Sequence, residues 1–168
     1  MRHYTQAMIC VVALLTLAGC TTTTKHYDWA EASSPARPAK PAQTVEPQQV
    51  ALVEDFAVNA GDRIYFDTDK SVLRPDAKDT LDRQIEWLTR HPDVAVRLEG
   101  NADERGSDAY NYALGERRAQ AARDYLVANG ISATRITSVS YGKTQPIESG
   151  RSAESLARNR NVRVILGQ

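Results

Sequence analysis

The chain has 168 residues, enough for one domain of ordinary size with accessory segments. Its 21 Lys and Arg balance its 21 Asp and Glu, so no excess of charge points to nucleic acid or to attraction by an anionic membrane surface. Both cysteines, Cys10 and Cys20, lie at the N-terminal end, which leaves the remainder without a disulfide or a thiolate metal site.

Residues 1–19 read as an export signal: Arg2 supplies a positive start, and residues 8–18 form an apolar run too short to span a bilayer comfortably. The run closes on Leu17-Ala18-Gly19-Cys20, which resembles the bacterial lipobox, where the cysteine becomes the acylated first residue. Each buried methylene of such an anchor contributes about 0.8 kcal/mol, and stable attachment takes more than one chain. Position 21 is Thr rather than the Asp of an inner-membrane retention signal, so an outer-membrane destination is expected. From Cys20 to residue 50 the composition is that of a disordered tether, with four of the seven prolines (Pro35, Pro38, Pro41, Pro47) among Ala, Thr, Ser and Gln. Such a segment buries too little apolar surface to offset its ordering entropy. As a coil it spans roughly 30 Å, and as extended polyproline II about 90 Å.

Residues 51–168 are expected to form one domain. Ile64, Phe66 and their alternating neighbours predict a first strand. Pro75 opens a helix whose early Asp76 and Asp79 suit its positive end, whose buried face is Leu73, Ala77, Leu81, Ile85 and Leu88, and which His91-Pro92 ends. Residues 94–99 alternate as a second strand. Ser107, a good N-cap, opens a long helix that runs to a stop signal at Asn129-Gly130. A third strand at 136–141, a loop, a short helix at 153–159 and a last strand at 162–166 complete a β-α-β-α-β-α-β order, which argues for an α/β two-layer sandwich.

Residues 99–122 organise the rest. On the long helix Asn111, Leu114 and Arg118 stand at i, i+3 and i+7 and share one stripe, and Asp103 and Arg105 lie in the loop at its N-terminal end. A carboxylate, guanidinium groups and an amide thus converge where a strand hands over to a helix. Charged loops and helical arginines are also what a solvated surface looks like, so spacing alone leaves both readings open. Catalysis finds little support. Asp103 and Glu104 are turn neighbours that point apart, the histidines (His3, His26, His91) fall outside the stretch, and no nucleophile elbow, phosphate loop or His-Glu-x-x-His run occurs.

Residues 101–106 (Asn-Ala-Asp-Glu-Arg-Gly) followed by residues 110–119 (Tyr-Asn-Tyr-Ala-Leu-Gly-Glu-Arg-Arg-Ala), with 65–71 upstream and Ser140-Tyr141-Gly142-Lys143 downstream, resemble the OmpA C-terminal-like family, and within it the lipoproteins that bind peptidoglycan. The resemblance covers about residues 62–166. It implies a mixed four-stranded sheet with helices on one face, no enzymatic activity, and no cofactor or metal. It also implies that Asp103 and Arg118 hold the free end of meso-diaminopimelate in the peptidoglycan stem peptide, with Arg105, Asn111, Leu114, Thr68 and Asp69 at further contact positions. That ligand end is an ammonium and a carboxylate on one carbon, and one carboxylate plus one guanidinium is its complement. The implied partners are peptidoglycan, the outer membrane through the lipid anchor, and the Tol proteins, chiefly TolB. A wall-binding lipoprotein without Tol partners stays open as an alternative. Relatives carry Phe near Thr68 and His at the position of Asn101, so a wall of the pocket and the bracing of the Asp103 loop are expected to differ here. Arg118 is expected at the helix surface, removable without loss of helix.

Overall fold

The structure, a computed structural model, describes residues 47–167. The expected signal segment, Cys20 and the tether up to residue 46 lie outside the described residues. The last positions given to the tether, 47–50, prove helical: α1 spans Pro47–Asn59. Sequence reading proposed no element here, yet Phe56 and Ala60 are fully buried and Leu52, one turn before Phe56, packs beside them. The N–H groups of Ala60 and Gly61 donate to the Phe56 carbonyl (2.9 and 3.0 Å), and Gly61 at φ 81° takes the left-handed conformation that ends the helix.

β1 (Arg63–Tyr65) is shorter than expected. Phe66 has left the ladder, but its ring stays buried and its N–H donates to the Arg160 carbonyl (2.9 Å). α2 (Pro75–Arg90) starts at its proline and carries Asp76 in its first turn, as predicted. Ala77, Leu81 and Leu88 are buried as expected, Leu73 and Ile85 pack against the core half-buried, and Gln84 and Trp87 join the buried face. α1 is the cause. Gln84 Nε2 donates to the Gly61 carbonyl (2.6 Å), Trp87 Nε1 to Asp55 (2.5 Å), and Phe56 meets the Trp87 ring edge-on at 5.0 Å.

β2 (Val96–Asn101), α3 (Asp108–Ala128), β3 (Ile136–Gly142), α4 (Ala153–Asn159) and β4 (Asn161–Leu166) follow in the predicted sequence. The sheet order is β1-β4-β2-β3, with β2 parallel to β3 and β4 antiparallel to β1 and β2. This is the mixed four-stranded sheet of an α/β sandwich, preceded by one additional helix. Ile64 opposite Val162 and Leu98 opposite Val164 place apolar pairs on the face that joins α2 and α3 in one core with Leu81, Ala119, Ala122 and Leu126. The other face carries Arg63, Arg97, Glu99 and Arg163, which the two-residue period of the strands requires.

α3 begins and ends where local chemistry says it should. The Ser107 hydroxyl accepts from the Tyr110 N–H (3.2 Å), and Gly130 stands at φ 97° beyond the last turn.

Candidate functional site

Three segments converge: the 67–70 turn after β1, the 101–106 loop after β2, and the first turns of α3. Glycines set their spacing. A Cβ on Gly100 would overlap the Gly115 carbonyl, and one on Gly115 would overlap the Ser140 hydroxyl, so α3 lies directly on β2 and β3. The Ser140 hydroxyl donates to the Tyr112 carbonyl (2.6 Å) and fixes that crossing. In the 67–70 turn the Lys70 N–H donates to the Asp67 carbonyl (3.2 Å), with Asp69 at φ 58°, a conformation Asp tolerates better than most residues.

Arg118 corrects an expectation. It is fully buried rather than a surface residue, and its guanidinium reaches three carbonyls: Nε to Lys70 (2.9 Å), Nη1 to Asn101 (2.7 Å) and Nη2 to Asp67 (3.1 Å). Helical periodicity cannot register these acceptors, because they come from two loops. The group therefore ties both loops to α3. Burial, and then repulsion from Arg160, push it down to about 10, which leaves it protonated at neutral pH. Three of its five N–H donors are engaged, and one remains on each terminal nitrogen.

Asp103 is also buried. Its Oδ1 accepts from the backbone N–H and the Nε of Arg105 (both 3.2 Å), and its Oδ2 from Arg105 Nη2 (2.6 Å) and Arg160 Nη1 (3.3 Å). Burial pushes this carboxyl up, but the Arg105 hydrogen bonds and charge and the Arg160 hydrogen bond outweigh it and hold it below the usual carboxylate value. Asp103 and Arg118 make no hydrogen bond with each other; each is held by other groups.

All seven residues expected at the site, Thr68, Asp69, Asp103, Arg105, Asn111, Leu114 and Arg118, line one cavity of about 320 Å³, joined by Gly106 and Tyr110. Asn111 Nδ2 donates to the Arg105 carbonyl (2.8 Å) and holds the loop onto the helix. Leu114 gives the cavity an apolar wall. Two links cross its mouth: Arg105 Nη2 to Thr68 Oγ1 (3.4 Å), and the Tyr110 hydroxyl to Asp69. That Asp69 bond pushes the Tyr110 phenol up.

Sequence reading missed Tyr110 and Arg160. Tyr110 stands one turn before Leu114 (i, i+4), so helical spacing could have found it, whereas Arg160 comes from the far end of the chain. Asn101 is buried and bonds its own strand through the Glu99 carbonyl (3.0 Å) and β4 through Asn161 (3.2 Å), so it braces the root of the loop.

The OmpA family model matches residues 65–160. The chain is 42% identical to the peptidoglycan-associated lipoprotein of Rhizobium meliloti over 95% of its own length and 86% of that protein's. It is 45% identical to the protein of the same description from Mesorhizobium japonicum, over 83% of this chain and 79% of that one. Among solved structures, the peptidoglycan-associated lipoprotein of Burkholderia pseudomallei superposes with a TM-score of 0.61 at 33% identity, covering 63% of this chain and 90% of that one. The C-terminal domain of Helicobacter pylori MotB shares the fold at 22% identity and a TM-score of 0.60, over 64% of this chain and 84% of that one. With a family model over most of the folded part and relatives 42–45% identical over more than four fifths of its length, the chain belongs to the OmpA family, on its peptidoglycan-associated lipoprotein branch.

Proposed function

We propose that this chain binds peptidoglycan without covalent chemistry, by seating the free end of a meso-diaminopimelate stem residue in the cavity between the 67–70 turn and α3. One observation carries the reading: a buried carboxylate, Asp103, and a buried guanidinium with two N–H groups to spare, Arg118, line the same hollow beside the apolar Leu114. The ligand's ammonium goes to Asp103 and its carboxylate to Arg118, whose planar donors match a carboxylate. Arg105, Asn111, Thr68 and Asp69 complete the contacts. Acylation at Cys20 holds the chain in the outer membrane, the tether spans the gap to the wall, and TolB and the other Tol proteins engage it in the Tol–Pal system of envelope constriction. A modest affinity per site suffices, because the anchor and the many wall sites add avidity.

Lysine at the same stem position brings an ammonium and no carboxylate, so Arg118 would face the pocket without its ligand partner. Loss of a desolvated charge partner costs about 2 kcal/mol or more, a factor of roughly 30. The protein should sediment with diaminopimelate-type peptidoglycan and far less with lysine-type, and Asp103→Ala should weaken both. Equal sedimentation with the two wall types removes Arg118 from recognition. Intact-mass measurement of the membrane-bound protein tests the lipid on Cys20, and co-purification tests TolB.

A further inference from the structure

The four hydrogen bonds into Asp103 fill the acceptor positions of its two oxygens. An ammonium group can therefore enter only where a present donor leaves. The backbone N–H of Arg105 is fixed by the chain, so the choice falls between two guanidinium groups, and their surroundings are opposite. The Arg160 side chain is 13% exposed, its Nε donates to the Phe66 carbonyl (3.1 Å), and its own carbonyl accepts from the Phe66 N–H (2.9 Å). It does not line the cavity. It reaches Asp103 from behind, out of a separate hollow that it shares with Tyr65, Phe66 and Arg74. The Arg105 side chain is 51% exposed, lies in the cavity itself, and has only the long Thr68 contact besides Asp103.

We propose that Arg160 is a positioning residue that fixes the Asp103 carboxylate for an incoming ammonium group, while Arg105 occupies the ammonium's seat in the empty cavity and yields it to the ligand. The inference rests on the reading of this cavity as the diaminopimelate site, and it adds the order of events: recognition is an exchange of one cation for another on a carboxylate that does not move. The leaving group is chemically apt, since a guanidinium, like an ammonium, is a cation that donates N–H groups to a carboxylate. It can also leave toward solvent, because the Arg105 side chain is half exposed and lies in the cavity. Arg160 has the opposite character: its bonds to Phe66 survive the exchange and keep Oδ2 aimed into the cavity.

The experiment titrates the arginine-labelled full chain with a purified diaminopimelate disaccharide-tripeptide and follows the Nε–H resonances. The Arg105 signal should move with occupancy and the Arg160 signal should stay. In stopped flow, Arg105→Gln should associate about threefold faster, because the cation that must first leave Asp103 is gone. Arg160→Gln should bind about tenfold more weakly, since a charge-assisted bond to the recognising group is gone. The pH at which its binding disappears on acidification should rise, because Asp103 loses one of the groups that keep it ionised; a merely structural role would leave that limb in place. Arg160→Lys should restore most of the affinity. An Arg105 signal that is unmoved at saturation, association of Arg105→Gln that is unchanged or slower, or an unshifted acid limb in Arg160→Gln overturns the proposal. Should Arg160→Gln not fold, the Arg105 measurements decide alone. Binding with Arg105 still in place defeats only this inference, whereas no binding of the disaccharide-tripeptide by the wild type defeats the reading of the site as well.

Discussion

Trp87 and Arg118 head the fully buried side chains of the described residues by volume, and they are buried by opposite means. Trp87 lies in an apolar corner, with Phe56 edge-on at 5.0 Å and His91 stacked at 3.8 Å, and its one polar atom donates to Asp55. The corner is held by the area it removes from water. Arg118 lies over the Phe66 ring at 5.3 Å, and three backbone carbonyls of two loops replace its hydration. The first region makes the domain stable. The second ties two loops to α3 and keeps a charge in the wall of a cavity. A buried cation with hydrogen-bonding capacity left over is a poor way to stabilise a fold and a good way to meet an anion.

Trp87→Ala should have the largest effect. Removing a fully buried aromatic should cost about 3 to 5 kcal/mol in chemical denaturation. Wall binding measured below the lowered melting temperature should be unchanged, because nothing in that corner touches the cavity. Loss of binding by the folded variant would mean that the two regions are coupled.

Arg118→Ala comes next, at about 3 kcal/mol, since three carbonyls lose their donor in a hollow that water can refill. Here stability and wall binding should fall together. A variant with full stability and no binding would make Arg118 a ligand group only. Arg118→Lys keeps the charge but cannot serve three acceptors in one plane, so it should recover part of the stability and little of the wall-type preference.

Trp87→Phe sharpens the contrast at a smaller scale. It keeps most of the ring and deletes the hydrogen bond to Asp55, and should cost about 1 kcal/mol. A cost near that of Trp87→Ala would show that the polar link, rather than packing, holds α1 to α2.

How far each region could be read from sequence follows from the range of its interactions. The start and stop of α3 rest on Ser107 and on Gly130, cap chemistry that acts within one turn, and both were legible. The stripe of Asn111, Leu114 and Arg118 was legible too, because helix geometry alone aligns it. The depth of Arg118 was not, since its acceptors at Asp67, Lys70 and Asn101 belong to other segments, and an arginine is surface by default. α1 was hidden for the same reason. Its apolar residues do not mark one face, since Val50, Val53 and Val58 are exposed while Phe56 is buried, and the partner that buries Phe56, Trp87, stands 32 positions from Asp55. Arg160 lies 57 positions from Asp103, beyond any local pattern.

The smallest effect is set by pH and belongs to Asp103. Its carboxyl is held below the usual carboxylate value in the folded chain, where the Arg105 and Arg160 interactions outweigh burial. A carboxyl so depressed contributes stability at every pH above its unfolded value, near 3.9, and loses that contribution as pH falls through its lower folded value. Above about pH 5 the wild type should therefore melt higher than Asp103→Asn by a constant margin. As the solution is acidified below about pH 4 the margin should shrink, and it should vanish once the carboxyl is protonated in both states. The margin isolates one group, because every other carboxylate titrates alike in the two proteins. Paired melting curves at pH 7, 4 and 2 measure it. A margin as large at pH 2 as at pH 7 would show that Asp103 stabilises the loop by shape rather than by charge, and the two arginines beside it would lose their electrostatic role.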